Sequence, residues 1–210
     1  IPNSLPAADT LQQENIFTMH EKRASLQDIR PLKVVIVNLM PTKIDTETQL
    51  ARVLANSPLQ VEMTLVTMGS HESKNVSREH MSTFYKTIDE IKKDYFDGMI
   101  LTGAPIEQMD FEDVDYWSEL CEIFEFAKTH VYSNMFICWG AQAALYYYYG
   151  IQKHIMDKKV FGVFEHKVVR PHNPLVRGFD EYFYAPHSRH TEIYRKDIEN
   201  QKELRILADS

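Results

Sequence analysis

Apolar runs of strand length alternate with helical segments along most of this chain. The first run, Leu32–Leu39, is rich in valine and almost wholly apolar, which is typical of a parallel strand covered on both faces. Similar runs follow at Gln60–Thr67, Gly98–Thr102 and Asn134–Ile137, and the intervals between them carry apolar residues at helical spacing. This alternation predicts an α/β fold with a doubly wound, mostly parallel sheet and helices on both faces.

The domain boundaries follow from the same pattern. Residues 1–31 are predicted to form an N-terminal arm with a short helix around Thr10–Lys22, and residues 32–210 are predicted to form the α/β domain. A length of 210 residues fits one such domain, because domains average roughly 150 residues.

The pattern changes in the last third of the chain. Val160–Val169 and Tyr182–Tyr184 are predicted to be shorter strands. Leu204–Ala208 reads as the opening of another strand, with no cap or tail after it. That unfinished strand predicts that the 210 residues are part of a longer domain.

Composition and charge exclude several classes of protein. The formal net charge is −7 and no dense Lys/Arg block occurs, which argues against a nucleic-acid partner or an anionic membrane surface. No stretch approaches the roughly 18 apolar residues of a membrane span, and the first residues lack the regions of a signal peptide. Only two cysteines occur, which argues against a disulfide framework or a cysteine-rich zinc site. The expected location is therefore the cytoplasm.

Glycine is scarce, with seven residues where about twice as many would be usual. No two of them stand at G-x-G spacing, so the Rossmann fingerprint and the Walker A loop are both absent.

Residues 136–144, FICWGAQAA, form the sharpest local motif. A predicted strand ends at Cys138, a glycine follows two residues later, and an alanine-rich helix begins. This order predicts a nucleophile elbow, with the thiol raised above the carboxyl edge of the sheet at a helix N-terminus. The alternative is an inert buried cysteine. Cys121, on the apolar stripe of the predicted helix Asp113–Lys128, is predicted to be a core residue.

A cysteine that attacks an acyl group needs an oxyanion hole. The backbone N–H of Trp139 is one candidate donor, and the turn Gly103–Ile106 is a second. Lys43 follows a strand end and could face the same edge, although a solvated lysine is an equal alternative.

The same nucleophile also needs a base. Among nine histidines, His187 and His190 are candidates, because Pro and Arg rigidify and charge the predicted loop that carries them. Their spacing could suit a metal, but no third ligand is evident, so no metal site is predicted. By composition alone Lys159 reads as a solvated charge.

Several segments together resemble the homoserine O-acyltransferases of methionine biosynthesis, of the homoserine O-succinyltransferase type. They are NSLPAADTLQQENIF, NLMPTKIDTETQLARVL, LTGAPIEQMDFEDVDYW, FICWGAQAALYYYYGI, GVFEH and APHSRH, and they span nearly the whole chain in order. The resemblance implies a class I glutamine amidotransferase-like fold, in agreement with the predicted elbow.

The resemblance also implies roles for single residues. Cys138 matches the nucleophile that takes the acyl group from acyl-CoA as a thioester. Lys159 and Ser188 match the substrate-binding lysine and serine, and Lys43 matches a lysine placed in the active site. Glu107 matches the position that influences the acyl donor, where glutamate accompanies acetyl-CoA and glycine accompanies succinyl-CoA. A fixed carboxylate there would repel the free carboxylate of a succinyl group.

These matches imply a homoserine O-acetyltransferase with L-homoserine and acetyl-CoA as substrates and with no bound cofactor. Transfer of succinyl from succinyl-CoA is the first alternative. A glutaminase or hydrolase, or a catalytically inactive binding module on the same fold, is an alternative of another class. A homodimer stays open.

One departure concerns the base. The family's catalytic histidine and glutamate lie in a Gly-His-Pro-Glu-Tyr segment that these 210 residues do not contain. His187 and His190 do not match that segment, so neither is retained as the base.

Overall fold

The structure is a computed structural model that describes residues 1–70 and 75–210. It divides into two compact units, of which the first comprises Ile1–Pro105 with Phe111–Ala141 and the second comprises Ile106–Asp110 with Gln142–Ser210. The helices are α1 Pro6–Gln13, α2 Glu21–Ala24, α3 Lys43–Ala55, α4 Arg78–Phe84, α5 Ile88–Ile91, α6 Trp117–His130, α7 Trp139–Tyr149 and α8 Arg195–Glu199. The strands are β1 Leu32–Val37, β2 Val61–Val66, β3 Tyr85–Lys86, β4 Phe96–Leu101, β5 Val131–Phe136, β6 His154–Val168, β7 Tyr182–Glu192 and β8 Ala208–Asp209.

The first unit is built on a five-stranded parallel sheet in the order β3-β2-β1-β4-β5. Val35, Ile36 and Val37 of the central strand β1 are all buried. Because successive strand residues point to opposite faces, both faces of β1 are covered, as its apolar sequence predicts. The predicted α/β fold with a mostly parallel sheet flanked by helices is confirmed.

The helix predicted around Thr10–Lys22 has different bounds. Helix α1 covers Pro6–Gln13 and packs against α3, with Leu11 fully buried. Asn15 has a φ of 56°, in the left-handed region where a helix cannot continue. The prediction placed the helix too late because it passed over this turn.

The second unit contains a three-stranded antiparallel sheet in the order β7-β6-β8. Strands β6 and β7 extend well beyond the two strands predicted there. The segment that carries His187 and His190 lies inside β7, so the loop predicted for it is wrong. Strand β7 is an edge of this sheet, where Pro186 removes no essential ladder hydrogen bond. The strand predicted at Leu204–Ala208 is also wrong, because β8 begins only at Ala208.

No helix among residues 1–70 and 75–210 is long and apolar enough to cross a membrane. Within the same residues, no group of three or more His, Cys, Asp and Glu side chains is placed to hold a metal ion.

Candidate active site

Cys138 occupies a strained turn between a strand and a helix. Strand β5 ends at Phe136, helix α7 begins at Trp139, and Cys138 between them has a φ of 54°. A side chain in this left-handed region costs about 1–2 kcal/mol, and such strain persists where the surrounding fold imposes it. The residue is exposed. An exposed thiol on a sharp strand-to-helix turn is the arrangement of a nucleophile elbow.

Two glycines leave room for this turn. A Cβ on Gly140 would lie 2.3 Å from Leu101 Cδ2 and 2.6 Å from the Thr102 carbonyl oxygen, both in the neighbouring strand and its exit. A Cβ on Gly103 would lie 3.0 Å from Cys138 Cβ and 3.5 Å from its Sγ. The helix start and the turn after β4 therefore approach Cys138 at backbone distance.

The helix start also supplies hydrogen-bond donors. The Gly140 and Ala141 N–H groups bond to the carbonyls of Ile137 and Cys138, each at 3.0 Å, which closes the turn. Trp139 is the first residue of α7, where an N–H has no acceptor within the helix. Negative charge that develops next to Cys138 therefore meets this N–H and the positive end of the helix dipole.

The Trp139 side chain has a structural role. Its indole is fully buried and packs on Phe111 and Tyr116, with ring centroids 5.9 and 6.4 Å away. Its Nε1–H has no hydrogen-bond partner among the described residues. The indole anchors the first turn of α7, and the chemistry predicted for this residue remains with its backbone.

The three strand ends around Cys138 are level and linked. The Thr102 N–H bonds to the Val37 carbonyl at 3.1 Å, and the Ile137 N–H bonds to the Leu101 carbonyl at 3.0 Å. The buried Thr102 hydroxyl accepts from the Leu39 N–H at 2.8 Å and donates to the Gly103 carbonyl at 3.1 Å. The loop after β1 is thereby tied to the turn that touches Cys138.

Lys43 is buried, so the alternative of a solvated lysine is wrong. It is the first residue of α3, and its Nζ donates to the Asn38 carbonyl and lies 5.2 Å from the centroid of the Tyr85 ring. Burial lowers the pKa of Lys43 to about 8, against the charge of Glu47, which raises it.

Sequence reasoning missed the polar residues around Lys43. Glu47 is fully buried, and its Oε1 accepts from the Tyr85 hydroxyl at 2.6 Å and lies 3.0 Å from His80 Nε2. Burial and Glu47 together raise the pKa of the Tyr85 hydroxyl, which therefore stays protonated. The spacing of Lys43 and Glu47, one helical turn apart, was the available signal.

The predicted substrate-binding residues lie together in the second unit. Ser188 on β7 pairs in register with Phe161 on β6, and Lys159 Nζ lies 5.6 Å from the centroid of the Phe161 ring. Since residues two apart on a strand share a face, Lys159, Phe161 and Ser188 lie on one face of this two-stranded ribbon. All three side chains are exposed. Glu107 is half-buried in the 106–110 segment of the same unit, where the Met109 N–H bonds to the Ile106 carbonyl.

Comparison with known proteins identifies the family. The model of the homoserine O-succinyltransferase family matches residues 1–210. The chain belongs to this family. Relatives named homoserine O-acetyltransferase, from Petrotoga mobilis and Clostridium novyi, are 60% and 59% identical over all 210 residues. A relative from Ilyobacter polytropus, named homoserine O-acetyltransferase 1, is 59% identical. The chain spans 68% of the length of the first and 70% of the other two.

A solved structure supports the fold of this homoserine O-succinyltransferase family member. It is a protein from Thermoplasma acidophilum described as part of a GMP synthase, which is 17% identical and has a TM-score of 0.59. The match covers 87% of this chain and 74% of that one. At this identity the likeness concerns the fold alone.

A histidine pair joins the two long strands of this family member beside Ser188. His187 Nε2 and His166 Nε2 are 3.0 Å apart, and His166 Nδ1 lies 3.0 Å from the Phe164 carbonyl oxygen. Because that carbonyl can only accept, His166 carries its proton on Nδ1, and His187 donates from Nε2. The buried Nδ1 of His187 has no partner in the described part of the chain. Burial, Arg189 and His166 all lower the pKa of His187.

This pair predicts a loss of stability in acid. With its pKa lowered in the fold, His187 stays neutral while the unfolded chain takes up a proton near pH 6.5, so the free energy of unfolding falls as the pH drops below that value. Urea denaturation at pH 7.5 and 5.5 measures this. His187→Gln should lose less stability between the two pH values than the wild type. Replacement of the exposed His172 by glutamine should leave the wild-type dependence unchanged, and equal losses in all three proteins would contradict the assignment.

Proposed function

We propose that this protein transfers an acetyl group from acetyl-CoA to the hydroxyl of L-homoserine, through a thioester on Cys138. The observation that carries the proposal is the exposed Cys138 at a φ of 54° between β5 and α7. Membership of the homoserine O-succinyltransferase family and relatives named homoserine O-acetyltransferase supply the substrate class.

The reaction has two half-reactions. In the first, the Cys138 thiolate attacks the thioester carbonyl of acetyl-CoA, and the oxyanion meets the Trp139 N–H and the backbone near Gly103. The tetrahedral intermediate collapses with loss of the CoA thiolate, which leaves acetyl on Cys138. In the second, the homoserine hydroxyl attacks this new thioester and gives up its proton, and the Cys138 thiolate leaves. O-acetylhomoserine is the product.

The remaining roles follow the family resemblance. Lys159 and Ser188, on one face of the ribbon, are proposed to position homoserine. The proton acceptor is proposed to come from the Gly-His-Pro-Glu-Tyr segment in a longer form of the chain.

The covalent intermediate gives the direct test. Full-length protein is mixed briefly with acetyl-CoA, and separately with succinyl-CoA, without homoserine, and its intact mass is measured. One acetyl group should appear, be retained in Cys121→Ala and be absent in Cys138→Ala. A succinyl adduct alone would reverse the choice of donor. No adduct from either donor would overturn the mechanism, and an adduct lost to water as fast as to homoserine would indicate a hydrolase.

Glu107 is proposed to exclude the succinyl group. Glu107→Gly should raise kcat/KM for succinyl-CoA relative to acetyl-CoA by roughly tenfold or more, because opposing like charges cost several kcal/mol and each 1.4 kcal/mol is a factor of ten. Steady-state kinetics with both donors measures the ratio. Gln108→Gly, the same change one residue along the same segment, is the control and should leave the ratio unaltered. An unchanged ratio in Glu107→Gly would remove this residue from donor selection.

A further inference from the structure

A buried polar network lies at the carboxyl end of the central strands of the first unit. Its members are Asn38, Lys43, Glu47, His80 and Tyr85, and each is less than a tenth exposed. Glu47 and Asn38 are 0% exposed. Removing two charged side chains from water costs several kcal/mol per ion, and well-packed apolar residues in their place are often equally stable. Stability alone therefore does not account for this network.

The network connects Glu47 to Lys43 through Tyr85 and Asn38. The Tyr85 hydroxyl donates to Glu47 Oε1 at 2.6 Å and accepts from Asn38 Nδ2 at 2.8 Å, while the Tyr85 ring lies beside the Lys43 ammonium. The Asn38 carbonyl accepts from Lys43 Nζ. Both the charge and the position of Lys43 are thus set by groups that Glu47 holds.

The same contacts continue to the nucleophile. Asn38 Oδ1 accepts from the Met40 N–H at 3.2 Å, which shapes the loop after β1. The Leu39 N–H in this loop bonds to Thr102, whose hydroxyl also holds the Gly103 carbonyl, and Gly103 touches Cys138. An unbroken chain of packed and hydrogen-bonded groups therefore runs from Glu47 to the turn beside Cys138.

We propose that Glu47 is a positioning residue of the acyl-transfer site, which with Tyr85 and His80 holds the Lys43 ammonium against Asn38 and so fixes the loop that supports Gly103. The inference deepens the proposed function and rests on it for the assignment of the site. The titratable groups packed around Lys43 are Glu47 on its own helix, Tyr85 on β3 and, through Glu47, His80 on α4.

Removal of the Glu47 charge has two expected effects. Burial already lowers the pKa of Lys43 to about 8, and Glu47 opposes that decrease. In Glu47→Gln the pKa of Lys43 should fall further, by about one unit, a factor of ten in its protonation equilibrium. The alkaline limb of the kcat profile should move to lower pH. At pH 7 kcat should fall by roughly tenfold or more, with KM for homoserine within about threefold of the wild type.

The test uses full-length protein with 13C-labelled lysine. The Cε resonance of Lys43 is assigned with Lys43→Arg and followed from pH 6 to 10, and kcat and KM are measured over the same range. Asp45→Asn removes an exposed carboxylate from the same helix and should change neither the Lys43 titration nor kcat. A reduced kcat with an unmoved Lys43 titration and pH profile would make Glu47 merely structural and overturn the proposal.

A second variant covers the possibility that Glu47→Gln does not fold. Tyr85→Phe keeps the ring beside Lys43 and the Glu47 charge but removes the hydroxyl that joins Asn38 to Glu47. Its kcat should fall with KM unchanged, and an unaltered kcat would overturn the proposal. Failure of the proposed function is separable, because Cys138 would then take up no acyl group in the wild type while Lys43 would still titrate as expected.

Discussion

Cys138→Ala is expected to keep the fold and to lose acyl transfer, with kcat reduced by a factor on the order of 10⁴ or more. Removal of the nucleophile of a covalent mechanism costs rates of this order, because backbone donors and substrate binding alone replace little of its chemistry. The measurement is formation of O-acetylhomoserine from acetyl-CoA and homoserine, together with the thermal unfolding midpoint. Cys121→Ala removes the other thiol of the chain and should retain wild-type turnover.

Cys138→Gly sharpens this prediction. Alanine keeps a Cβ in the left-handed turn, whereas glycine adopts a φ of 54° without steric cost. The glycine variant should therefore be more stable than the alanine variant by about 1 kcal/mol, although both are inactive. Greater stability of the alanine variant would show that the turn carries no strain. Substantial turnover in either variant would remove Cys138 from the mechanism.

Gly140→Ala is expected to cause the second large effect, a destabilisation of about 2–3 kcal/mol or more. The new Cβ would lie 2.6 Å from the Thr102 carbonyl oxygen, a backbone atom that moves only together with β4. Helix α7 would have to shift away from the sheet, and the Trp139 N–H and Cys138 would shift with it. Urea denaturation should show the lost stability, and kcat should fall by roughly a hundredfold because misplacement of a reacting group by about 1 Å has that effect.

Gly98→Ala is the matched control for Gly140→Ala. Gly98 lies in β4 beside the same sheet, but a Cβ there would meet Val34 Cγ2 at 3.7 Å and the Ser133 carbonyl at 3.9 Å, which are ordinary contacts. This variant should stay within about 1 kcal/mol of the wild type and keep its activity. Equal destabilisation by the two substitutions would contradict a specific close approach at Gly140.

The parts of the site that lie close together in sequence could be predicted. The elbow is encoded within nine residues, FICWGAQAA, because the strand, the turn and the helix start each have a local signal. The structure adds the left-handed φ of Cys138 and the distances that make Gly140 necessary. The parallel sheet was predictable for the same reason, since each buried strand is a continuous apolar run.

The buried network could not be predicted from sequence. His80 and Tyr85 lie 33 and 38 residues from Glu47, and each reads by itself as an ordinary polar residue on a surface helix or a short strand. Their meeting depends on the order of strands in the sheet, which periodicity does not specify. Cys121 shows the opposite error, because its place on an apolar stripe predicted a core residue and its side chain is half-buried.

The order of strands in the sheet also determines when the reactive turn can form. Strand β1 is synthesised before both of its partners, since Val34 pairs with Met63 and with Gly98, and 98 − 34 gives a separation of 64 residues. Such non-local pairing raises contact order and slows folding. Cys138 follows β5, the last strand of this sheet along the chain. During translation the thiol therefore sits on an unstrained backbone, and its left-handed turn is imposed only after all five strands have left the ribosome.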